Sequence, residues 1–175
     1  MSKRIVVNNS TGENSYLYLT QLSRLYCGYN ANTTVLGLTL NTWTRFSYPS
    51  VGYTTFRNKD WTIDPTLSRF TYTGAAQKWF RVDAVCNIYK VVGGPNRNIE
   101  FQWYLNGVGV GPIRGAYMHD ADSQIISGNG ELLLSKDDYL EPYCRNIENG
   151  DDCVFKNCSF LIKEDPDYSF VVNSI

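Results

Sequence analysis

"RFTYTGAAQKWFRVDAVCNIY", residues 69–89, decides between a helical and a β reading of the chain. Ala75, Ala76, Gln77, Lys78 and Arg81 are good helix formers, so propensity alone permits a helix. From Phe80 onward, however, the even positions read Phe80, Val82, Ala84, Cys86, Ile88, while the odd ones include Arg81, Asp83 and Asn87. That period of two puts one face in a core and the other toward water. On a helix the three polar residues would be scattered around the cylinder and no apolar stripe would survive. The stretch is a strand.

The same pattern continues outward from it. Ile99, Phe101, Trp103 and Leu105 alternate with Glu100, Gln102, Tyr104 and Asn106. Asn106-Gly107 then supplies a hairpin signal, because both turn positions want positive φ, and Val108 and Val110 begin the return strand. Upstream, Leu36, Leu38 and Leu40 lead into "NTWTRFSY", and "FRNKDWTIDPTLSRFTY" holds a turn at Asp64-Pro65. Downstream, "SQIISGNGELLLSKDDYLEPYCRN" and "CVFKNCSFLIKE" contain turn signals at Gly128-Asn129-Gly130 and Glu148-Asn149-Gly150-Asp151. Pro142 demands a sheet edge, a bulge or a strand start. Thirteen Tyr, eight Phe and four Trp beside many Thr, Asn and Gly favour pleated strands joined by tight turns. The chain reads as all-β, an antiparallel β-sandwich or jelly roll.

Residues 1–35 are polar and rich in Asn, Ser, Thr and Tyr, with one apolar piece, "SYLYLTQLSRLYCG". There Tyr16, Leu17, Leu19, Leu22, Leu25 and Tyr26 suit either an alternating strand or a short helix ending at Gly28. Both conformations stay open. The segment reads as an attachment arm, an added strand or a packed extension. The expected division is an N-terminal arm over 1–35, a jelly-roll domain over 36–163 and a C-terminal tail over 164–175.

At 175 residues one domain is expected, long enough to bury about 70 % of the surface its unfolded chain exposes. Sixteen basic and seventeen acidic residues, spread along the chain, leave a net charge of −1 and no nucleic-acid footprint. No apolar run approaches the roughly 18 residues of a membrane span, and the N-terminus lacks the apolar region of a signal peptide. The expectation is a soluble chain made in the cytoplasm. Cys27, Cys86, Cys144, Cys153 and Cys158 form no CxxC pair, which fits reduced, buried thiols better than a disulfide framework.

A search for chemistry finds no catalytic or cofactor constellation. His119 is the only histidine, too few for an imidazole-lined metal site, and no GxSxG elbow accompanies it. The carboxylate pairs Asp120/Asp122, Asp137/Asp138, Asp151/Asp152 and Asp165/Asp167 all lie beside turn signals and lack an EF-hand frame. The residues that ask for a partner are aromatic. Trp79, Tyr89, Tyr104, Tyr139 and Tyr143 fall on or near faces assigned away from the core, an unusual exposure for a monomer. Burial between subunits is the first reading of these rings, and glycan stacking is its rival.

The order "RFTYTGAAQKWFRVDAVCNI", "NIEFQWYLNGVGV", "SGNGELLLSKDDYLEPYCRN", "CVFKNCSFLIKE" resembles TNF/C1q-like jelly-roll domains of virion proteins from phages and large DNA viruses, over about residues 66 to 163. Two departures are Lys136-Asp137, where that pattern commonly carries Gly-Asp, and Pro142 inside the following strand. The resemblance implies a homotrimer on the outside of a virus particle, as capsid decoration or cement, a minor capsid protein or a fibre head. It implies contact with major capsid or other virion proteins, a virion location after synthesis in the host cytoplasm, and no enzyme activity or cofactor. It also places the "DYLEPYC" strand near the trimer axis, which makes Tyr139 and Tyr143 interface candidates.

Overall fold

The computed structural model describes residues 4–8, 14–18, 24–29, 34–46, 53–90, 97–118, 123–149 and 151–165. Among them fourteen strands follow one another with no helix: β1 (Arg4–Asn8), β2 (Asn14–Tyr18), β3 (Arg24–Tyr29), β4 (Thr34–Leu36), β5 (Thr44–Arg45), β6 (Tyr53–Lys59) and β7 (Trp61–Asp64). Then come β8 (Arg69–Tyr72), β9 (Lys78–Lys90), β10 (Arg97–Leu105), β11 (Val108–Met118), β12 (Ser123–Leu134), β13 (Tyr139–Asn146) and β14 (Cys153–Glu164). Two six-stranded sheets form the body. The first has the order β12-β9-β14-β3-β6, with β4 also on β14, and the second β11-β10-β13-β8-β7, with β5 also on β13. All pairings between named strands are antiparallel.

The alternation read from residues 80–88 is the alternation of β9. Phe80, Val82, Ala84, Cys86 and Ile88 are buried, and their odd-numbered neighbours point away. β10 repeats the pattern with Ile99, Phe101 and Trp103 inward. Between the sheets the aromatic rings pack mostly edge to face, such as Phe46 on Phe155 at 4.6 Å and Tyr72 on Phe80 at 4.9 Å. Edge contacts suit the ring quadrupole, so they add orientation to what area burial already contributes.

The turns at Asn106-Gly107 and Asp64-Pro65 stand as expected. Asn106 and Gly107 carry φ of 51° and 82°, and Asp64 Oδ1 accepts from Thr66 N, Thr66 Oγ1 and Leu67 N. Asn146 shapes the β13–β14 connection: it donates to Asn149 Oδ1 and accepts from the N–H groups of Glu148 and Asn149.

Two expectations are corrected. Gly128-Asn129-Gly130 is no turn but the middle of β12, paired with Val82–Ala84 of β9, and neither glycine has positive φ. Pro142 sits inside β13, away from any edge, bulge or start. There the strand passes from β8, at Tyr139 and Leu140, to β5, at Tyr143 and Cys144, so no neighbour asks for the missing N–H, while its carbonyl accepts from Phe46 N. Within residues 1–35, read as an arm, an added strand or a packed extension, the described strands divide. Residues 24–29 form β3, which pairs with β14 on one side and β6 on the other, and Thr34–Leu36 pairs with β14. Strand pairing therefore carries the sheet N-terminal of residue 36. Only β1 and β2 stand apart, as a two-stranded sheet of their own.

Candidate functional site

The outward positions of each sheet form two surfaces on opposite sides of the sandwich. On the first sheet, register places Trp79 beside Leu133, Asn87 beside Ile125 and Val85 beside Ser127. Among the described residues, seven of the nine exposed large hydrophobics lie on three strands: Trp79 and Val85 on β9 and Ile125 and Leu133 on β12, all on the first sheet, and Val108, Ile113 and Tyr117 on β11 at the adjoining edge of the second sheet, where Tyr117 stands beside Asn98. That concentration singles out the β9/β12 face and the β11 edge beside it. β11 and β12 are the edge strands of their sheets and meet there, with Arg114 Nη2 donating to Asn129 Oδ1 at 2.9 Å. An open concavity of about 330 Å³ beside them is lined by Asp83, Val85, Arg114, Ser127, Gly128 and Asn129. Long edges with this apolar content are protected in folded proteins by charges, prolines, bulges or a partner. Here β11 is protected by a bulge over residues 111–113 opposite Gln102, with Pro112 inside it and Arg114 beside it, whereas β12 carries only Glu131.

The outward face of the second sheet has another character. Glu141 of β13 is buried to 2 % although it points away from the core, because Arg45 Nη1 and Arg69 Nε donate to its Oε1 at 3.1 and 2.9 Å. A carboxylate is held out of water only when cations and hydrogen bonds replace its hydration. Around it, Tyr104 and Tyr143 stack at 3.9 Å between centroids, Trp43 meets Tyr104 edge-on at 6.0 Å, and Arg145 lies 4.6 Å over Trp43. Arg145 is itself held by Glu100 at 2.7 Å, and Arg69 lies 4.0 Å over the Tyr139 ring. Burial pushes the hydroxyls of Tyr104 and Tyr143 above their ordinary titration range, with the Glu141 charge adding to the shift at Tyr143. Both therefore stay hydrogen-bond donors through neutral pH.

These surfaces separate the five aromatic candidates. Trp79 and Tyr89 lie on the first sheet, Tyr104, Tyr139 and Tyr143 on the second, so no single contiguous contact includes all five. Only Trp79 ranks among the exposed large hydrophobics, at 36 %. The rings of the second group are half-buried against one another and against arginines, and Tyr89 has Lys156 4.6 Å over its ring. Of the arm candidates, Tyr16 and Leu17 belong to β2, Leu25 and Tyr26 to β3, and Leu19 and Leu22 lie outside the described residues, as do His119 and the tail from residue 166.

Sequence reading missed Val85, Ile125 and Leu133, although they share outward parity along β9 and β12; taking Gly128-Asn129-Gly130 as a turn broke that register. It also missed Arg45, Arg69 and Glu141. They converge from three strands far apart in sequence, and no local pattern marks them.

Among the described residues no group of three or more His, Cys, Asp or Glu is placed to hold a metal ion, and no helix is long and apolar enough to cross a membrane. No protein-family model matches the chain, and no curated protein sequence matches it. Solved structures do. Eiger TNF from S. frugiperda is similar with a TM-score of 0.51 at 11 % identity, over 83 % of this chain and 96 % of that one. Murine APRIL at pH 5.0 gives 0.52 at 9 % identity, over 82 % and 99 %. The globular domain of zebrafish complement 1qA protein gives 0.52 at 9 % identity, over 82 % and 96 %. At such identities the likeness is one of fold, and this chain has the all-β, TNF/C1q-like jelly-roll fold.

Proposed function

We propose that the chain is a non-enzymatic structural virion protein, a homotrimer on the outside of a virus particle that decorates or cements the capsid or serves as a minor capsid protein. The observation that carries self-association is the gathering of seven exposed apolar residues on β9, β11 and β12. A cyclic trimer joins two different patches of each subunit. Two adjoining ones are on offer, the open β9/β12 face with its concavity and the β11 and β12 edges where the two sheets meet. This assigns Trp79, not Tyr104, Tyr139 or Tyr143, to the subunit contact. The virion role is supported by the order of strand motifs along residues 66 to 163, and attachment by the β1–β2 hairpin, which shares no hydrogen-bonded sheet with the body.

The test is in two steps. Light scattering on the purified chain is expected to give a mass near three chains. Particles purified from infected cells that make the chain are expected to carry it accessible to surface labelling. A chain recovered only from the non-particulate fraction overturns the virion role.

A second reading, a receptor- or glycan-binding head domain of a fibre or spike, is favoured by one observation: the polar and aromatic outward face around Glu141. Of the stretches "VVGGPNRN" (91–98) and "RGAYMHDADSQ" (114–124) that such recognition would use, residues 91–96 and 119–122 lie outside the described residues.

A further inference from the structure

We propose that Cys86 and Cys158 are an oxidation site, joined by a small peroxide into a cross-strand disulfide that locks β9 to β14. Such a bond is independent of the assembly and the virion role proposed above. Three observations point to it.

The first is register. β14 runs antiparallel to β9 with Lys156 beside Asn87 and Ser159 beside Val85, so Asn157 and Cys158 together stand opposite the single residue Cys86. That is a β-bulge, and Asn157 takes its left-handed position with φ of 49°. The extra residue resets parity along the strand. Cys153 and Phe155 are the inward residues before it, and Cys158, Phe160 and Ile162 those after it. An unbroken alternation would turn Cys158 outward. With the bulge its thiol faces the core on the side where Cys86 lies.

The second is contact. Both side chains are buried and their thiols are hydrogen-bonded, and Cys158 Sγ donates on to Lys156 O at 4.0 Å. Residues opposed across an antiparallel ladder have Cα atoms about 4.5–5.5 Å apart, inside the roughly 4.4–6.8 Å that a disulfide spans. Among the described cysteines no other pair is adjacent in register. Cys153 stands beside Lys90, several rungs along β9, and Cys144 faces the pair from the second sheet.

The third is access. Burial holds the Cys86 thiol protonated at neutral pH and shuts it off from bulky disulfide reagents. A peroxide is small enough to enter during a brief local opening of the sheet. One thiolate then takes an oxygen from hydrogen peroxide and becomes a sulfenic acid, releasing hydroxide. The second thiol, already in contact, attacks that sulfur and displaces water. Two thiols and one peroxide thus give one disulfide and two waters. Because the resolving thiol is in place, the sulfenic acid is captured before it oxidises further. The bond closes a loop from residue 86 to residue 158, which restricts the unfolded chain and stabilises the fold.

The experiment exposes the full wild-type chain to hydrogen peroxide near neutral pH, blocks the remaining thiols under denaturing conditions and maps the peptides by mass spectrometry. A peptide holding Cys86 is expected to be joined to one holding Cys158, two hydrogens lighter than the reduced parts together. The urea midpoint is expected to rise on oxidation and to return on reduction. Cys158→Ala is expected to abolish both the link and the rise, and Cys144→Ala to keep them. The wild-type map needs no variant to fold, so it stands by itself if one does not. Links through Cys144 or Cys153 instead, sulfinic acid at Cys86 or Cys158 in place of a link, thiols that all remain free, or a link with no gain in midpoint overturns the proposal.

Discussion

At the scale of single residues, the interior shows why two glycines two positions apart differ. A Cβ built on Gly128 runs into the Phe101 ring from the opposite sheet, whereas one on Gly130 meets Val82 Cγ2 at an ordinary 3.6 Å. Gly128→Ala is expected to cost about 1–3 kcal/mol, the range for overpacking a filled core, and Gly130→Ala to be near neutral. Urea denaturation of the two variants compares them, and equal losses would show that backbone freedom, not the ring, sets the need for glycine. The thiols give a second residue-scale prediction. Burial raises Cys86 and Cys144 well above their ordinary value of 9.0 and pushes Cys153 up to about 12. Above about pH 9 the unfolded chain releases these protons while the folded one keeps them, so stability is whole below pH 9 and falls as pH rises toward 12. The slope is about 1.4 kcal/mol per pH unit for each thiol. Denaturation midpoints at pH 8 and pH 10 are expected to differ, and less so in Cys153→Ala; a variant with the full wild-type slope would exclude Cys153 from the effect.

At the scale of elements, legibility followed the source of each signal. β9 and β10 were readable because burial on one face imposes period two over nine or more residues, and no helix tolerates that pattern. β12 was misread at its centre because Gly-Asn-Gly has turn chemistry, while its glycines serve close packing, a need set by Phe101 on a strand elsewhere in the sequence. Pro142 was misread for a similar reason: its tolerance depends on where β8 ends and β5 begins beside it. β3 was left open between strand and helix, since Leu25 and Tyr26 fit either period and only pairing with β14 decides. That pairing yields a prediction. Removing residues 1–23 leaves β3 between β14 and β6, so the truncated chain is expected to fold with unchanged oligomeric mass and to lose particle attachment. Removing 1–35 takes out β3 and all of β4 but Leu36, and strands the hydrogen-bonding groups of β14 and β6. That product is expected to aggregate or unfold, as read by circular dichroism and light scattering. A folded 1–35 truncation would show the body needs neither strand.

At the scale of the whole molecule, fold class was legible because alternation and turn chemistry repeat along the chain, but the candidate surfaces were not. Which outward positions gather on one side depends on strand order, and order is set by pairings such as β11 with β10 and β12 with β9 that bring two edges together. Sequence gave the outward parity of Trp79 and Tyr143 alike and could not say that they lie on opposite sides. Once the sides are known, stability and assembly become linked. If association buries the β9, β11 and β12 side, apolar area leaves water only in the oligomer, and the folded state draws stability from concentration by mass action. Ile125→Asp with Leu133→Asp places two charges on that side without touching the core, since both side chains are exposed, at 65 % and 40 %. The double variant is expected to sediment as a folded single chain, with a melting temperature independent of concentration, whereas the wild type melts higher as concentration rises. Tyr143→Ala, on the opposite side, is expected to keep the wild-type mass. A monomeric Tyr143→Ala beside an oligomeric double variant would transfer the subunit contact to the second sheet and take with it the second reading, which needs the face around Glu141 open to a glycan.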